Sequence, residues 1–141
     1  MCADEHVVRL RVRYSETDQM GTFYNSRVLE WFEVGRTELL RAIGKPYAEM
    51  KACGVLLPLL EAHVEYLGRA RYDDELKMAV SARRVGRARL RFDVKIVHAD
   101  SESSGVARGY TIHAVTDAAG KPIRPPAWLE KQIPSPEGID A

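Results

Sequence analysis

An amphipathic segment at residues 26–43 constrains the fold more than any other part of the sequence. Its apolar residues recur with the spacing of an α-helix, so they line one broad face, while charged residues take much of the rest. These apolar residues are Val28, Leu29, Trp31, Phe32, Leu39, Leu40 and Ile43. Asn25 or Ser26 can cap the first amides through a side-chain oxygen. Gly44 followed by Pro46 ends the segment. We predict a helix about 25 Å long, which suits the central helix of a small domain.

Alternation of apolar and polar residues predicts five strands around this helix, because side chains in a strand point to opposite faces in turn. The predicted strands span residues 7–14, 56–68, 76–83, 89–96 and 106–116. A second, short helix is predicted between Lys45 and Gly54, and residues 98–105 are expected to form a loop. The strands after the helices are joined by short turns, so we expect antiparallel pairing. This order predicts a two-layer α+β domain.

The length of 141 residues fits one domain, here taken as residues 1–141. Residues 121–141 hold five of the seven prolines, and we expect an extended C-terminal tail that Trp128 and Leu129 pin to the body. Gly35, inside the long helix, is interpreted as permitting close packing against the sheet. An antiparallel sheet over one helix leaves open edges, so self-association is expected.

Composition excludes several classes of protein. The net charge is only +1, and no nucleic-acid-binding motif is visible, so we expect no nucleic-acid partner. No apolar run approaches the length of a membrane span and no signal segment is visible, so a cytoplasmic protein is expected. The two cysteines and four histidines show no metal-ligand spacing. No P-loop, dinucleotide fingerprint or serine-hydrolase elbow is present.

Asp18 is the sharpest candidate for chemistry. It lies a few residues before the long helix, whose N-terminus presents unpaired amides and a partial positive charge. A carboxylate near such amides can face a carbonyl group whose oxygen the amides bind, which is a layout for acyl transfer. The alternative is a turn aspartate that caps a backbone amide. Gly21 either supplies a special backbone shape, allows a ligand close to the main chain, or is a plain turn glycine.

Two other groups are candidates for substrate binding. On the polar face of the predicted strand at 56–68, His63 lies between Glu61 and Glu65. We take Glu61 and His63 as pocket candidates, and interpret Glu65 as part of a cross-strand ion-paired surface. An arginine cluster at residues 83–91 includes Arg87 and Arg89 and offers the fork geometry that binds phosphates. Its alternatives are a solvated face or a nucleic-acid patch.

The segment from Glu16 to Glu38 resembles the signature of hot-dog-fold acyl-CoA thioesterases, in the 4-hydroxybenzoyl-CoA thioesterase-like group. The matching residues are Glu16, Thr17, Asp18, Gly21, Tyr24, Asn25, Leu29, Trp31, Phe32, Glu33, Arg36, Thr37 and Glu38. Residues 64–76 and 120–126 also resemble parts of the family pattern, although less specifically.

The resemblance implies a hot-dog fold, in which a five-stranded antiparallel sheet wraps a long central helix. It also implies a homodimer or homotetramer with active sites between subunits. Asp18 would attack the thioester carbonyl or activate water, and backbone amides near Asn25 would form the oxyanion hole. Gly21 and Tyr24 complete the implied catalytic set. CoA would enter as part of the substrate, with no separate cofactor and with its nucleotide near basic residues such as Arg87 and Arg89.

The chain departs from the family at two positions. Asn25 stands where relatives often carry His or Tyr, and Arg89 stands where they often carry Ser. Our hypothesis is an acyl-CoA thioesterase that yields a carboxylic acid and CoA. A non-catalytic module that binds acyl-CoA or lipid on the same scaffold is the alternative, and an arginine-mediated nucleic-acid binder is a third interpretation. The acyl group, and acyl carrier protein in place of CoA, remain open.

Overall fold

The computed structural model of the chain describes residues 5–44, 47–133 and 135. The strands within these ranges are β1 (His6–Arg11), β2 (Leu59–Tyr66), β3 (Glu75–Val85), β4 (Arg89–His98) and β5 (Ser101–Ala114). The helices are α1 (Arg27–Ala42), α2 (Tyr47–Ala52) and α3 (Ala127–Gln132), and a single 3₁₀ turn spans Tyr14–Glu16. Lys45 and Pro46, with which the second helix was predicted to begin, are outside the described residues.

The five strands form one antiparallel sheet, as predicted, in the order β1-β3-β4-β5-β2. The expected meander of the four strands after the helices is wrong for β2, which pairs with β5, because β1 takes the place beside β3. Strands β1 and β2 are therefore the two edges of the sheet. Alternate side chains of β3 and β4 are buried, because one face of these strands packs into the core beside α1. The other face carries the charged residues of the same strands, and this is the pattern that period-two alternation predicts.

Helix α1 lies close against the sheet and carries the central part of the core. Its buried residues are Val28, Trp31, Phe32, Gly35, Leu39 and Leu40. A Cβ atom built on Gly35 would lie 2.7 Å from Val80 Cγ2 and 3.2 Å from the Met78 sulfur atom. The absence of a side chain at this position therefore sets the distance between helix and sheet, which confirms the packing role predicted for Gly35.

Two predicted boundaries are wrong. Residues 101–105 belong to β5, because Ala99 and Asp100 alone form the turn of a tight hairpin with β4. The serines and Glu102 resembled a loop by composition, but Glu102 pairs with Lys77 across the sheet surface. At the other end, β1 stops at Arg11, and the chain then turns through the 3₁₀ segment where the strand was predicted to continue.

The expectation of an extended tail is wrong for residues 127–132, which form α3. Leu129 and Ile133 are fully buried, and Arg84 Nε donates a hydrogen bond of 2.9 Å to the Ile133 carbonyl. Anchoring by Leu129 was predicted and is confirmed. The prolines before α3 favoured an extended prediction, but Pro126 stands at its N-cap, where proline fits without losing a helical hydrogen bond.

No helix in the described ranges is both long and apolar enough to span a membrane. In the same part of the chain, no three His, Cys, Asp or Glu side chains are grouped so as to hold a metal ion.

The contact between Gly35 and Val80 generates a stability prediction. Overpacking a core costs about 1–3 kcal/mol, more than the roughly 1 kcal/mol that alanine gains over glycine inside a helix. We expect Gly35→Ala to lower the free energy of unfolding by about 1 kcal/mol, measured by urea denaturation. The Val80→Ala background removes the close methyl group, so Gly35→Ala should cost less there. An equal cost in both backgrounds would contradict the assigned contact.

Candidate active site

The loop between the 3₁₀ turn and α1 folds into a tight turn around Asp18. The amide of Asp18 donates to the Thr22 carbonyl at 2.9 Å, and the amide of Gly21 donates to the Asp18 carbonyl at 3.0 Å. Gly21 has φ +82°, a backbone conformation that favours glycine. The predicted candidate Gly21 therefore shapes the loop through its backbone.

The carboxylate of Asp18 is half-buried and uses one of its two oxygens within the loop. Oδ1 accepts a hydrogen bond of 2.8 Å from the Met20 amide. Oδ2 accepts none from the residues that the structure describes. The first bond is the amide-capping contact expected of a turn aspartate. The second oxygen is left open for contact with a ligand.

Glu16 is a buried carboxylate two residues before Asp18, and it ties the loop to α1. Only 3% of the Glu16 surface is exposed. Its Oε1 accepts a bond of 2.7 Å from the Arg13 amide, and its Oε2 accepts bonds from the Trp31 ring nitrogen at 3.0 Å and from the Arg13 guanidinium at 3.3 Å. Its own carbonyl accepts the Tyr24 amide at 2.8 Å. Both ends of the Asp18 loop are therefore fixed to one residue.

The same contacts set the charge state of Glu16. Burial alone would raise the pKa of its carboxyl group, but hydrogen bonds from Arg13 and Trp31 hold that pKa below its usual value. The sequence pattern included Glu16 without assigning it a role. An acidic residue in a polar turn gives no sign in the sequence that it is buried. Its partner Trp31 is 15 positions away and could not be identified from spacing.

The N-terminus of α1 leaves backbone amides free beside this loop. Ser26 is the N-cap residue and makes no side-chain capping bond, so the predicted cap by Asn25 or Ser26 is not formed. Within the described ranges, the amides of Asn25 and Ser26 donate no hydrogen bond. Two unpaired donors therefore lie where the helix dipole favours a negative charge.

Tyr24 and Asn25 contribute to the site in different ways. The Tyr24 amide is occupied by its bond to Glu16, and the Tyr24 side chain is exposed. The Asn25 carbonyl accepts a hydrogen bond of 2.8 Å from the hydroxyl of Tyr66, at the end of β2. The four predicted catalytic residues, Asp18, Gly21, Tyr24 and Asn25, therefore lie together in one loop, and β2 helps to hold it.

The structure does not bring Glu61 and His63 to this loop. The Tyr110 hydroxyl donates to Glu61 Oε2 at 3.1 Å, and the His63 ring stacks on the Tyr110 ring with centroids 5.4 Å apart. Glu65 pairs with Arg108 on the neighbouring strand, which confirms its predicted structural role. These contacts lie on the sheet face turned away from α1. The substrate-binding role of Glu61 and His63 stays a prediction without support from this placement.

Arg87 and Arg89 lie at the opposite end of the sheet. The Asp18 loop contacts the segment that leads into β3, since the Phe23 amide donates to the Ala70 carbonyl at 3.0 Å, whereas both arginines are exposed at the β3–β4 turn. Strand β3 has 11 residues, so at about 3.3 Å per residue the two regions are roughly 30 Å apart along the strand. Within one chain, these arginines cannot share a ligand of modest size with Asp18.

The Glu16 contacts predict an effect on stability that depends on pH. We expect Glu16→Gln to lower the free energy of unfolding at pH 7 by about 1–3 kcal/mol, because an amide cannot satisfy these donors as a carboxylate does. The pKa of Glu16 is lowered by folding, so this stabilisation is complete above the unfolded value of about 4.3 and is lost as pH falls through the folded value.

The measurement is urea denaturation of the wild type and the variant between pH 7 and pH 3. The matched control is Glu30→Gln, which removes an exposed carboxylate of α1 paired with Arg27 at 3.1 Å. This control should change stability by less than about 0.5 kcal/mol at any pH. A wild-type advantage over Glu16→Gln that stays constant across this range would contradict the assigned charge state.

Comparisons with known proteins show which family the chain belongs to and which fold it shares. Residues 12–133 match the sequence profile of the thioesterase-like superfamily. A hypothetical protein of Aquifex aeolicus with a crystal structure is 29% identical, with a TM-score of 0.84 over 92% of this chain and 99% of that chain. The acyl-CoA thioester hydrolase YbgC of Escherichia coli is 30% identical over 92 residues, which make up 65% of this chain and 69% of that protein.

A 1,4-dihydroxy-2-naphthoyl-CoA thioesterase of Synechocystis, at 19% identity, shares the fold with a TM-score of 0.84 over 91% of this chain and 94% of that chain. The predicted family, the α+β hot-dog fold and the enzyme class of thioester hydrolase are thus confirmed. The chain belongs to the thioesterase-like superfamily.

Proposed function

We propose that this protein hydrolyses acyl-CoA thioesters, with Asp18 as nucleophile or general base and the amides of Asn25 and Ser26 as the oxyanion hole. One observation carries the proposal: an open carboxylate oxygen and two unpaired amides stand at the two ends of a single fixed loop. The name of the Escherichia coli relative, an acyl-CoA thioester hydrolase, supports the substrate class.

The chemistry needs a nucleophile on one side of the thioester carbonyl and hydrogen-bond donors at its oxygen. As the carbonyl carbon becomes tetrahedral, negative charge develops on that oxygen, and preorganised amides stabilise it. Asp18 either attacks the carbon itself, giving an anhydride that water opens, or removes a proton from the attacking water. In both routes the carbon–sulfur bond breaks, the CoA thiolate takes up a proton, and one water molecule is consumed.

Strand β2 supports the proposal that the working enzyme is a dimer or tetramer. It forms one free edge of the sheet, and most of its residues are exposed. Large apolar side chains are exposed on β2, just after it and on the exposed side of α1: Leu29, Val34, Leu59, Leu60, Tyr66 and Leu67. A free edge flanked by apolar surface favours pairing with another strand, and a second copy of β2 satisfies the same requirement symmetrically.

Antiparallel pairing of two β2 strands also accounts for the distant arginines. A two-fold axis between the two β2 strands makes the sheets of the two copies run in opposite directions. The end of one sheet that carries the β3–β4 turn would then lie beside the end of the other sheet that carries the Asp18 loop. Arg87 and Arg89 of a second copy would then approach the substrate that Asp18 acts on. Guanidinium groups suit the phosphates of the CoA nucleotide. No resident cofactor is needed for this reaction.

Replacement of Asp18 tests the chemical role. We expect Asp18→Asn to lower kcat about a hundredfold to ten-thousandfold for thiol release from a panel of acyl-CoAs, because an amide is neither a base nor an effective nucleophile. The matched control is Asp117→Asn, a turn aspartate whose Oδ1 accepts the Ala119 and Lys121 amides at 2.9 Å. It should retain wild-type rates. Equal rates for Asp18→Asn and wild type would remove Asp18 from the mechanism.

The alternative function is binding of acyl-CoA or lipid without turnover. The hydrogen bond from Met20 to Asp18 favours it, because a turn aspartate needs no chemical role. Calorimetric titration with a thioether analogue of acyl-CoA, run beside the turnover assay, separates the two functions. Binding of the analogue with no thiol release from any acyl-CoA would establish the alternative.

The proposed assembly generates its own prediction. We expect the wild type to sediment as a dimer or tetramer, and the double variant Leu59→Lys with Leu60→Lys to sediment as a monomer with reduced hydrolysis. Like charges brought together at a paired edge oppose association. The control is Val7→Lys on β1, the other edge of the sheet, where Val7 is also exposed. Sedimentation velocity of all three proteins gives the result, and a monomeric wild type would contradict the assembly.

A further inference from the structure

A cavity between the second half of α1 and the sheet is separate from the Asp18 loop. Its volume is about 160 Å³. Its lining combines apolar walls with four polar side chains, namely Leu40, Tyr47, Leu57 and Phe92 with Glu33, Arg36, Thr37 and His113. A cavity of about 150 Å³ in another protein holds benzene, so this one suits a group the size of a ring or a short chain.

His113 has both of its ring nitrogens occupied. Nδ1 lies 3.0 Å from the Leu57 carbonyl and Nε2 lies 2.9 Å from the Thr111 hydroxyl. A carbonyl can only accept, so Nδ1 carries the proton and Nε2 accepts from Thr111. Burial lowers the pKa of His113 to about 4. His113 is therefore a neutral wall of the cavity with no donor to spare for a ligand.

Arg36 is different, because its guanidinium lines the same cavity with donors to spare. It makes no hydrogen bond and no ion pair with the residues that the structure describes. It is only half-exposed, and burial lowers its pKa while the nearby Glu33 carboxylate opposes that change. A partly desolvated guanidinium with no acceptor among the described residues can take the oxygens of a ligand in place of water.

We propose that this cavity binds a carboxylate carried on a short apolar body, with Arg36 as the residue that recognises it. The inference rests on the proposed function in one respect, which is that the carboxylate comes from the far end of an ω-carboxyacyl thioester. A free carboxylic acid of the same shape offers Arg36 the same carboxylate. The substrate is thereby assigned to the mono-thioesters that CoA forms with dicarboxylic acids.

The position of Arg36 fits the far end of an acyl chain. It lies 11 positions beyond Asn25, which is about 16 Å along a helix. Helical side chains lean toward the N-terminus, so the guanidinium is closer to the proposed oxyanion hole than its own backbone. A medium-length chain with its thioester at Asn25 therefore directs its other end to Arg36.

A carboxylate satisfies this site better than a hydroxyl or a methyl group. The planar guanidinium fork binds both oxygens of a carboxylate at once, whereas a hydroxyl accepts from it singly. A methyl group leaves the guanidinium desolvated. Glu33 is exposed and keeps its own hydration, so it weakens the attraction for an anion without occupying Arg36.

The test compares kcat/KM for adipoyl-CoA with kcat/KM for hexanoyl-CoA, which differ in the terminal carboxylate. We expect the wild type to prefer adipoyl-CoA. The ratio should fall about tenfold to a hundredfold in Arg36→Met, and by a smaller factor in Arg36→Lys, which keeps the charge and loses the fork. Glu33→Gln should raise the ratio, because it removes a repulsion from the ligand. The control Arg41→Met changes an exposed arginine of α1 that pairs with Glu38 at 3.4 Å, and it should leave the ratio unchanged.

Two kinetic results would each overturn the inference. One is a wild type that prefers hexanoyl-CoA or 6-hydroxyhexanoyl-CoA over adipoyl-CoA, a measurement that needs no variant. The other is a fall in activity of Arg36→Met that is equal for both substrates.

A binding arm separates this inference from the proposed function. Calorimetric titration of the wild type and Arg36→Met with adipate and with hexan-1-ol requires no turnover. If no acyl-CoA is hydrolysed, the proposed function fails, while adipate binding that depends on Arg36 still supports the carboxylate site. If adipate does not bind and the wild type hydrolyses adipoyl-CoA with the expected preference, the carboxylate is recognised as part of the acyl group. If the wild type neither binds adipate more tightly than hexan-1-ol nor hydrolyses adipoyl-CoA in preference to hexanoyl-CoA, the inference is wrong.

Discussion

The close contact between α1 and the sheet is the constraint on which the rest of the molecule depends. At Gly35 the helix touches Val80 with no room for a methyl group. This distance fixes where the two ends of the helix lie. At one end Trp31 reaches the buried Glu16 carboxylate and holds the Asp18 loop. Beyond Gly35, the same helix forms one wall of the cavity that contains Arg36. Because packed interiors transmit small displacements, a change at Gly35 would be felt at both places.

Much of the fold could be predicted because local periodicity decides it. The period of α1 gave its bounds to within a residue, and alternation in β3 and β4 identified the buried side chains. Where prediction failed, the deciding interaction was distant or the composition misleading. Residues 101–105 are polar and resemble a loop, yet they pair with β4. The prolines before α3 concealed a helix whose stability comes from burying Leu129 and Ile133.

The residues of the candidate site also divide into those that the sequence could predict and those that it could not. Asp18, Gly21, Tyr24 and Asn25 are neighbours in sequence, so their convergence follows from one loop. Glu61 and His63 share a strand face with Tyr110, and only the sheet order reveals that this face is turned away from α1. The tie between Glu16 and Trp31, and the unpaired state of Arg36, depend on contacts between distant parts of the chain. Spacing within a motif cannot disclose such contacts.

The order of strands has a consequence for the nascent chain. β1 is an edge strand whose partner in the sheet is β3, and the whole of α1, α2 and β2 is synthesised between them. β1 therefore leaves the ribosome long before it can be paired. Pairing across such a separation carries a large loop-closure entropy and slows folding. Ile133, which is fully buried, follows all five strands in the chain, so the core closes only after the whole sheet has been synthesised, and a chaperone would meet the incomplete sheet before then.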